Sequence, residues 1–206
     1  MKDSKQFWDN SAAKYVKSPI KDKATYQKKL AITQEYLRPD SQVLEFGCGS
    51  GGTAILHAPY VQNIVATDIS DKMVEIAQQK ALEAGVENIQ FQQSTLFDLD
   101  VQDEHFDTVL GLNVLHLLEN VDVAINKVYQ LLKNEGVFVS STSLIGEVNI
   151  AFRWLISIMQ FLGLAPYVSR FTRNQLIAKL EQAGFSIERE WQTSHESVFI
   201  VAKKMV

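Results

Sequence analysis

A chain of 206 residues, 46% hydrophobic and 21% charged, can bury a core without staples and reads as one globular domain spanning 1–206. Its single cysteine, Cys48, excludes an intramolecular disulfide and a multi-cysteine zinc site, so no metal is expected. The net charge of −4 counts against a nucleic-acid partner, although residues 1–30 are +5 through eight lysines and the remainder is −9. That basic stretch is read as a solvated helical face in preference to an arm for an anionic partner.

The opening MKDSKQFWDNSAAKYVKSP has no apolar core of a secretory signal. The first strand is expected at QVLEF (42–46), followed by a glycine loop and the start of a helix. NIVATD (63–68) is the second strand. Ser70 to Ala84 then places Met73, Val74, Ile76, Ala77 and Ala81 on one helical face, with Gly85 closing it. IQFQQS (89–94) and FDTVLGL (106–112) are the next strands. An amphipathic helix over Val121–Leu132 is expected to stop at Gly136, ahead of a strand at GVFVSSTS (136–143). The stretch from Val148 to Val168 is the longest with almost no charge. Arg153, Asn149, Ser157, Gln160, Gly163 and Pro166 disqualify it as a membrane span, and the protein is expected to be cytoplasmic. Thr172-x-x-Gln175 has capping-box spacing and opens a helix ending at Ala183-Gly184. Strands 186–193 and 197–204 follow so closely that no crossover fits between them, and they must be antiparallel.

The alternation of strands and helices predicts a parallel α/β sheet. Gly47, Gly49 and Gly52 satisfy a dinucleotide G-x-G-x-x-G, and Gly47, Gly49 and Gly51 satisfy G-x-G-x-G, so the loop alone does not choose between cofactors. Asp68, 21 residues after Gly47, stands where a carboxylate accepts both hydroxyls of a ribose. Glu45 separates the readings: at the strand end it suits an ammonium group and would repel a pyrophosphate. Tyr129 and Lys133 have the spacing of a dehydrogenase pair, but they share a helix with Val128, Leu131 and Leu132 and are read as structural.

LEFGCGSGG, VATDIS with Met73, FDTVLGLNVLHLL, LLKNEGVFV and LEQAGFSIERE, in that order, resemble the class I S-adenosylmethionine-dependent methyltransferase family, in its small-molecule form. The resemblance implies a Rossmann-like three-layer α/β/α sandwich. Its seven-stranded, mostly parallel sheet has order 3-2-1-4-5-7-6, with the last strand antiparallel. It further implies that S-adenosyl-L-methionine is bound, with S-adenosyl-L-homocysteine as product. Gly47, Cys48, Gly49 and Gly51 then wrap the methionine portion, and Asp68 holds the ribose. Ile69 and Met73 sandwich the adenine, while Leu112 and Asn113 border the methionine end. Where the family often has an aspartate facing the adenine amino group, this chain has Thr95, so recognition is expected to lean on its hydroxyl and on the backbone of Leu96, with Asp98 and Asp100 as alternatives.

FWDNSAAKYV resembles the N-terminal lid of small-molecule members, which makes 1–37 a helical lid from which Tyr15 closes over the cofactor or anchors the helix. Residues 144–171 are a helical insertion over the acceptor site, with Trp154 and Phe161 expected to line it; an interface or a core helix are the alternatives. Arg153 and Arg170 are candidate anion partners for the acceptor or simply solvated. Cys48 is read as packing, and His116 as a backbone-bonded histidine in preference to a general base. No catalytic base is assigned. The absence of a cysteine outside the loop excludes the usual cytosine-C5 chemistry, and Asn113-Val-Leu-His has no proline pair of the adenine amino-methylation turn. The expected acceptor is a small apolar or aromatic molecule, acted on by a monomer or homodimer. The rivals are a non-catalytic S-adenosylmethionine-binding module and an NAD(P)-binding oxidoreductase.

Overall fold

The computed structural model describes residues 2–205, with side chains from Ser4 onward. Met1 and Val206, the ends of the expected domain, lie outside the described residues, as do the side chains of Lys2 and Asp3 from the basic stretch. Two helices, α1 (Lys2–Lys17) and α2 (Lys23–Gln34), precede β1 (Gln42–Phe46). Then come α3 (Gly52–His57), β2 (Asn63–Asp68), α4 (Asp71–Glu83), β3 (Ile89–Gln93), β4 (Phe106–Leu112), α5 (Val121–Leu131) and β5 (Leu132–Ser143). The chain ends with α6 (Ile150–Phe161), α7 (Arg173–Gln182), β6 (Phe185–Ser194) and β7 (Ser197–Lys204). The sheet order is β3-β2-β1-β4-β5-β7-β6, as the resemblance implied. β1 to β5 pair in parallel, and β7 runs antiparallel to both β5 and β6.

Side chains alternate across each strand, so the sheet has two apolar faces that both need cover. Leu44, Phe46, Val109, Phe138 and Ile200 face α5 and α7, where Ile125, Val128, Leu176 and Leu180 meet them. Val43, Ile64, Leu110, Val139 and Val201 face α3 and α4, through Ala54, Val74, Ala77 and Ala81, with Ile32 of α2 packed alongside. The helix ends follow the sequence signals. Ser70 caps α4 by accepting the Met73 N–H at 3.2 Å, and Gly85 leaves it at φ +64. The capping box at Thr172 and Gln175 is formed in both directions.

One boundary differs from the sequence expectation. α5 ends at Leu131, and the chain enters β5 at Leu132, four residues before Gly136. Leu132 is already extended and pairs with Phe106 ahead of a register shift, so tertiary pairing overrides the helical period here. Gly136 belongs to the strand: a Cβ there would stand 2.8 Å from the Lys133 carbonyl oxygen. Beside it, the Asp107 carboxylate gathers the amino ends of three strands. It accepts from the Gln42 backbone N–H at 2.8 Å, Lys133 Nζ at 2.8 Å and the Arg38 guanidinium at 3.2 Å. Burial opposes ionisation of this group, but the bonds from Lys133 and Gln42 outweigh it and hold its pKa below the usual carboxylate value.

Candidate functional site

β1 ends in a loop that only glycine makes without strain. Gly47, Gly49 and Gly51 are all left-handed, at φ +66, +53 and +73. Their reasons differ. A Cβ on Gly47 would meet Val114 Cγ2 at 2.5 Å, and one on Gly51 would meet Ala77 and the Phe91 ring within 2.9 Å. Gly51 is therefore demanded by packing of the loop against α4 and β3. Gly49 has open space in front of it, with Tyr15 nearest at 3.8 Å. The loop is held to β2 by the Cys48 N–H donating to the Thr67 carbonyl at 2.9 Å, and by Asp68. One Asp68 carboxylate oxygen accepts the Gly49 N–H and the other the Ser70 N–H, each at 2.9 Å.

In front of this loop, over the carboxyl ends of β1, β2 and β4, lies a cavity of about 390 Å³. Of the residues expected to bind a cofactor, Tyr15, Gly47, Gly49, Asp68, Ile69, Met73, Thr95, Leu96, Leu112 and Asn113 line it. Glu45, Cys48 and Gly51 are not on its wall. Glu45 is 3% exposed, on the sheet face that α2 and α3 cover, and its Oε2 has no hydrogen-bond partner. Burial, reinforced by the nearby Asp68 charge, pushes its pKa up to about 8. Asp68 is raised as well, by burial, against the pull of its two backbone donors. Cys48 donates weakly to the Gly49 carbonyl at 3.6 Å, and burial raises its pKa, so it packs as a thiol.

Thr95 is already engaged. Its hydroxyl donates to Asp98 Oδ2 at 2.6 Å and accepts the Phe97 N–H at 3.2 Å, which leaves one lone pair for a ligand. Asp98 thus acts through Thr95 and is not itself on the cavity wall. His116, too, lies off the wall. Its Nδ1 accepts the Ser143 N–H at 3.5 Å, which leaves the proton on Nε2, and burial lowers its pKa to about 4. Tyr129 donates to the Met205 carbonyl and Lys133 pairs with Asp107, both away from the cavity, so that spacing is structural.

The cavity wall also includes residues the sequence reading passed over: Trp8, Phe46, Phe97, Leu117, Val123 and Pro166. For Trp8 the signal was present. Ser4, Trp8 and Tyr15 recur on one face of α1, and the Trp8 and Tyr15 rings meet edge to face at 6.1 Å. α1 is docked there by polar ties to the start of α4: Lys5 to Asp71 at 2.6 Å, and Asp9 accepting from the Ser70 hydroxyl at 2.6 Å. Leu117 comes from the turn after β4 and Val123 from the first turn of α5, and no local period reveals that both reach the cavity.

α6 behaves otherwise than a buried helix. None of its residues is buried; Trp154 is 68% and Phe161 90% exposed. From the whole 148–168 stretch only Pro166 borders the cavity, and Trp154 and Phe161 do not. Arg170 bonds Ser157 Oγ at 2.6 Å, and Arg153 keeps a buried Nε without a partner; neither faces the cavity. Among the described residues, no helix is long and apolar enough to cross a membrane.

Residues 44–140, from β1 into β5, match the family model described as a methyltransferase domain. A methyltransferase of Bacillus subtilis (strain 168) without assigned substrate, YcgJ, is 38% identical over 109 residues, 53% of this chain and 43% of that protein. The ubiquinone biosynthesis O-methyltransferase of Chelativorans sp. (strain BNC1) is 32% identical over 101 residues, 49% of this chain and 40% of that protein. The match therefore spans less than half the length of these curated relatives. The crystal structure of Bacillus subtilis YcgJ superposes with a TM-score of 0.74 at 20% identity, covering 87% of this chain and 99% of that one. Strand order, glycine loop and the match over 44–140 agree: the chain has the Rossmann-like fold of class I methyltransferases, and residues 44–140 are similar to a methyltransferase domain.

Proposed function

We propose that the protein binds S-adenosyl-L-methionine in the cavity above β1, β2 and β4 and transfers its methyl group to a small apolar or aromatic acceptor. The observation that carries this reading is the convergence of Gly47, Gly49, Asp68, Met73 and Asn113 on one cavity at the carboxyl edge of the sheet. The residues present fit that cofactor. Each Asp68 oxygen spends one lone pair on a backbone N–H and keeps another for a ribose hydroxyl. Gly49 leaves backbone open to a close approach, and Ile69, Met73 and Phe97 offer apolar surfaces to a base. The Glu45 carboxyl, buried and off the wall, keeps an Oε2 without a hydrogen-bond partner.

The cofactor supplies a methyl group already activated on a sulfonium, so the protein's task is orientation and exclusion of water. Trp8 and Tyr15 from α1, with Leu117, Val123 and Pro166 opposite, give the cavity an apolar rim suited to that exclusion. A base is needed only where the acceptor must lose a proton, and the carboxylates on the wall are those of Asp68, bonded to two backbone N–H groups, and Glu119. The apolar rim, and a relative named for ubiquinone biosynthesis, support an aromatic or quinone-like acceptor. Residues 148–168 serve in this reading as a cover that folds down over the acceptor, and the protein works in the cytoplasm. Titration calorimetry with S-adenosylhomocysteine and with NADH tests the reading: the first should bind and the second should not, and the opposite order sinks it. Incubation with metabolite extracts and S-adenosylmethionine, read as mass gains of one methyl, then identifies the acceptor.

A further inference from the structure

Lys29 lies on α2, half-buried, and pairs with no carboxylate among the described residues; its hydrogen bond goes to Ser141 Oγ, 112 residues away, at 2.7 Å. Holding a cation out of water without an ion pair is costly, and burial lowers the lysine's pKa, with distant Asp22 opposing. The arrangement has a consequence at the cavity. An ammonium group has three donors and no acceptor, so the Ser141 oxygen must accept from it. The one serine proton is then free to go elsewhere, and it goes to Asn113 Oδ1 at 3.3 Å.

Asn113 is the cavity residue with an unusual backbone: it is left-handed at φ +59 without being glycine. Its own N–H donates to the Ser141 carbonyl at 2.7 Å, so the backbone and the amide oxygen are both fastened to one serine. With Oδ1 committed, the two N–H groups of Nδ2 are left as donors with no partner among the described residues. A flipped amide would set N–H against the serine proton, so the direction of the chain from Lys29 fixes which end of the amide is free.

We propose that Lys29 is a positioning residue that, through Ser141, holds the Asn113 amide with its N–H donors presented to the methyl acceptor, which therefore offers an oxygen lone pair at that point. The inference rests on the reading of this cavity as the cofactor site with Asn113 at its methionine end. It deepens that reading by selecting oxygen acceptors, hydroxyl or enol, over carbon or bare hydrocarbon.

The test uses nitrogen-15-labelled protein saturated with S-adenosylhomocysteine, with phenol and toluene as probes that share a shape and differ by one oxygen. Phenol should shift the Asn113 side-chain amide resonances and bind more tightly than toluene. Lys29→Met should move those resonances and weaken phenol binding by about fivefold, the scale of one hydrogen bond. Ser141→Ala should do the same, and the double variant should lose no more than either single one, because the residues act in one line. Equal binding of phenol and toluene, or an Asn113 amide unmoved in folded Lys29→Met and Ser141→Ala proteins, overturns the assignment. If S-adenosylhomocysteine fails to bind the wild-type protein, the reading of the cavity itself falls, and this inference with it; that failure is distinct from the others because it precedes any probe.

Discussion

The Asp68 carboxylate accepts the Gly49 backbone N–H at 2.9 Å, which makes the acid at the end of β2 and the glycine loop after β1 a single bonded unit. Position alone places Asp68 at the hydroxyls of a ribose. In the folded protein it also satisfies Gly49 and Ser70, and so shapes the loop before any cofactor arrives. Asp68→Ala is therefore expected to weaken S-adenosylhomocysteine binding by about ten- to 150-fold, and to lower stability by about 1–3 kcal/mol through two stranded N–H groups. Calorimetry and denaturant melts separate the two effects. Unchanged affinity in a folded variant would show that the ribose is held elsewhere.

Glu45 gives a pH signature. Its pKa in the folded, ligand-free protein is about 8 against 4.5 for the ordinary group, so between those values the native state holds a proton the unfolded state has lost. Stability contributed by this group is full below about 4.5, falls as pH rises towards 8, and levels off beyond. Glu45→Gln removes that slope and should gain on the wild type as pH climbs, the two converging in acid. If the carboxyl meets the cofactor's ammonium, binding S-adenosylhomocysteine at pH 7 should release about one proton, measurable by calorimetry in buffers of different ionisation heat. No proton release would mean that Glu45 stays protonated and apart from the ligand.

Cys48 is buried in the loop, and burial, with the nearby Glu45 and Asp68 charges, raises its pKa and keeps it a thiol. Cys48→Ser should leave methyl transfer within about tenfold, since packing and not nucleophilicity is altered. A variant that binds cofactor but transfers nothing would reopen covalent catalysis.

Trp154 and Phe161 stand largely in solvent. Replacing either with alanine should change stability by no more than about 0.5 kcal/mol, as for surface positions in general. If the segment closes over the acceptor during turnover, the same variants should raise the acceptor's KM with cofactor affinity intact. A large loss of melting temperature would instead mean that the helix is part of the core.

The sequence carried the sheet well because its strands lie between glycine turns and its helices end in capping residues that act locally. Ser70, Gly85 and the Thr172–Gln175 pair needed no tertiary information. The end of α5 did, since the Leu132–Phe106 pairing that cuts it short joins residues far apart in the chain. For the site, the loop and Asp68 were legible from spacing. That Glu45 turns away from the cavity wall was not: it depends on which sheet face α2 covers, and strand alternation fixes parity without naming the face. The link from Lys29 to Ser141 was hidden for the same reason, as was the outward aspect of α6, whose composition suits a core equally well.

Asp107 ties Arg38, Gln42 and Lys133 together at the amino edge of the sheet, the edge opposite the cavity. These ties align the strands from the edge opposite the cavity, while the cavity edge is framed by α1 and by the turns after the strands. The two ends of each strand are under different demands, and a change at one is poorly heard at the other. Such a scaffold can exchange the residues around its mouth without renegotiating how its strands are aligned.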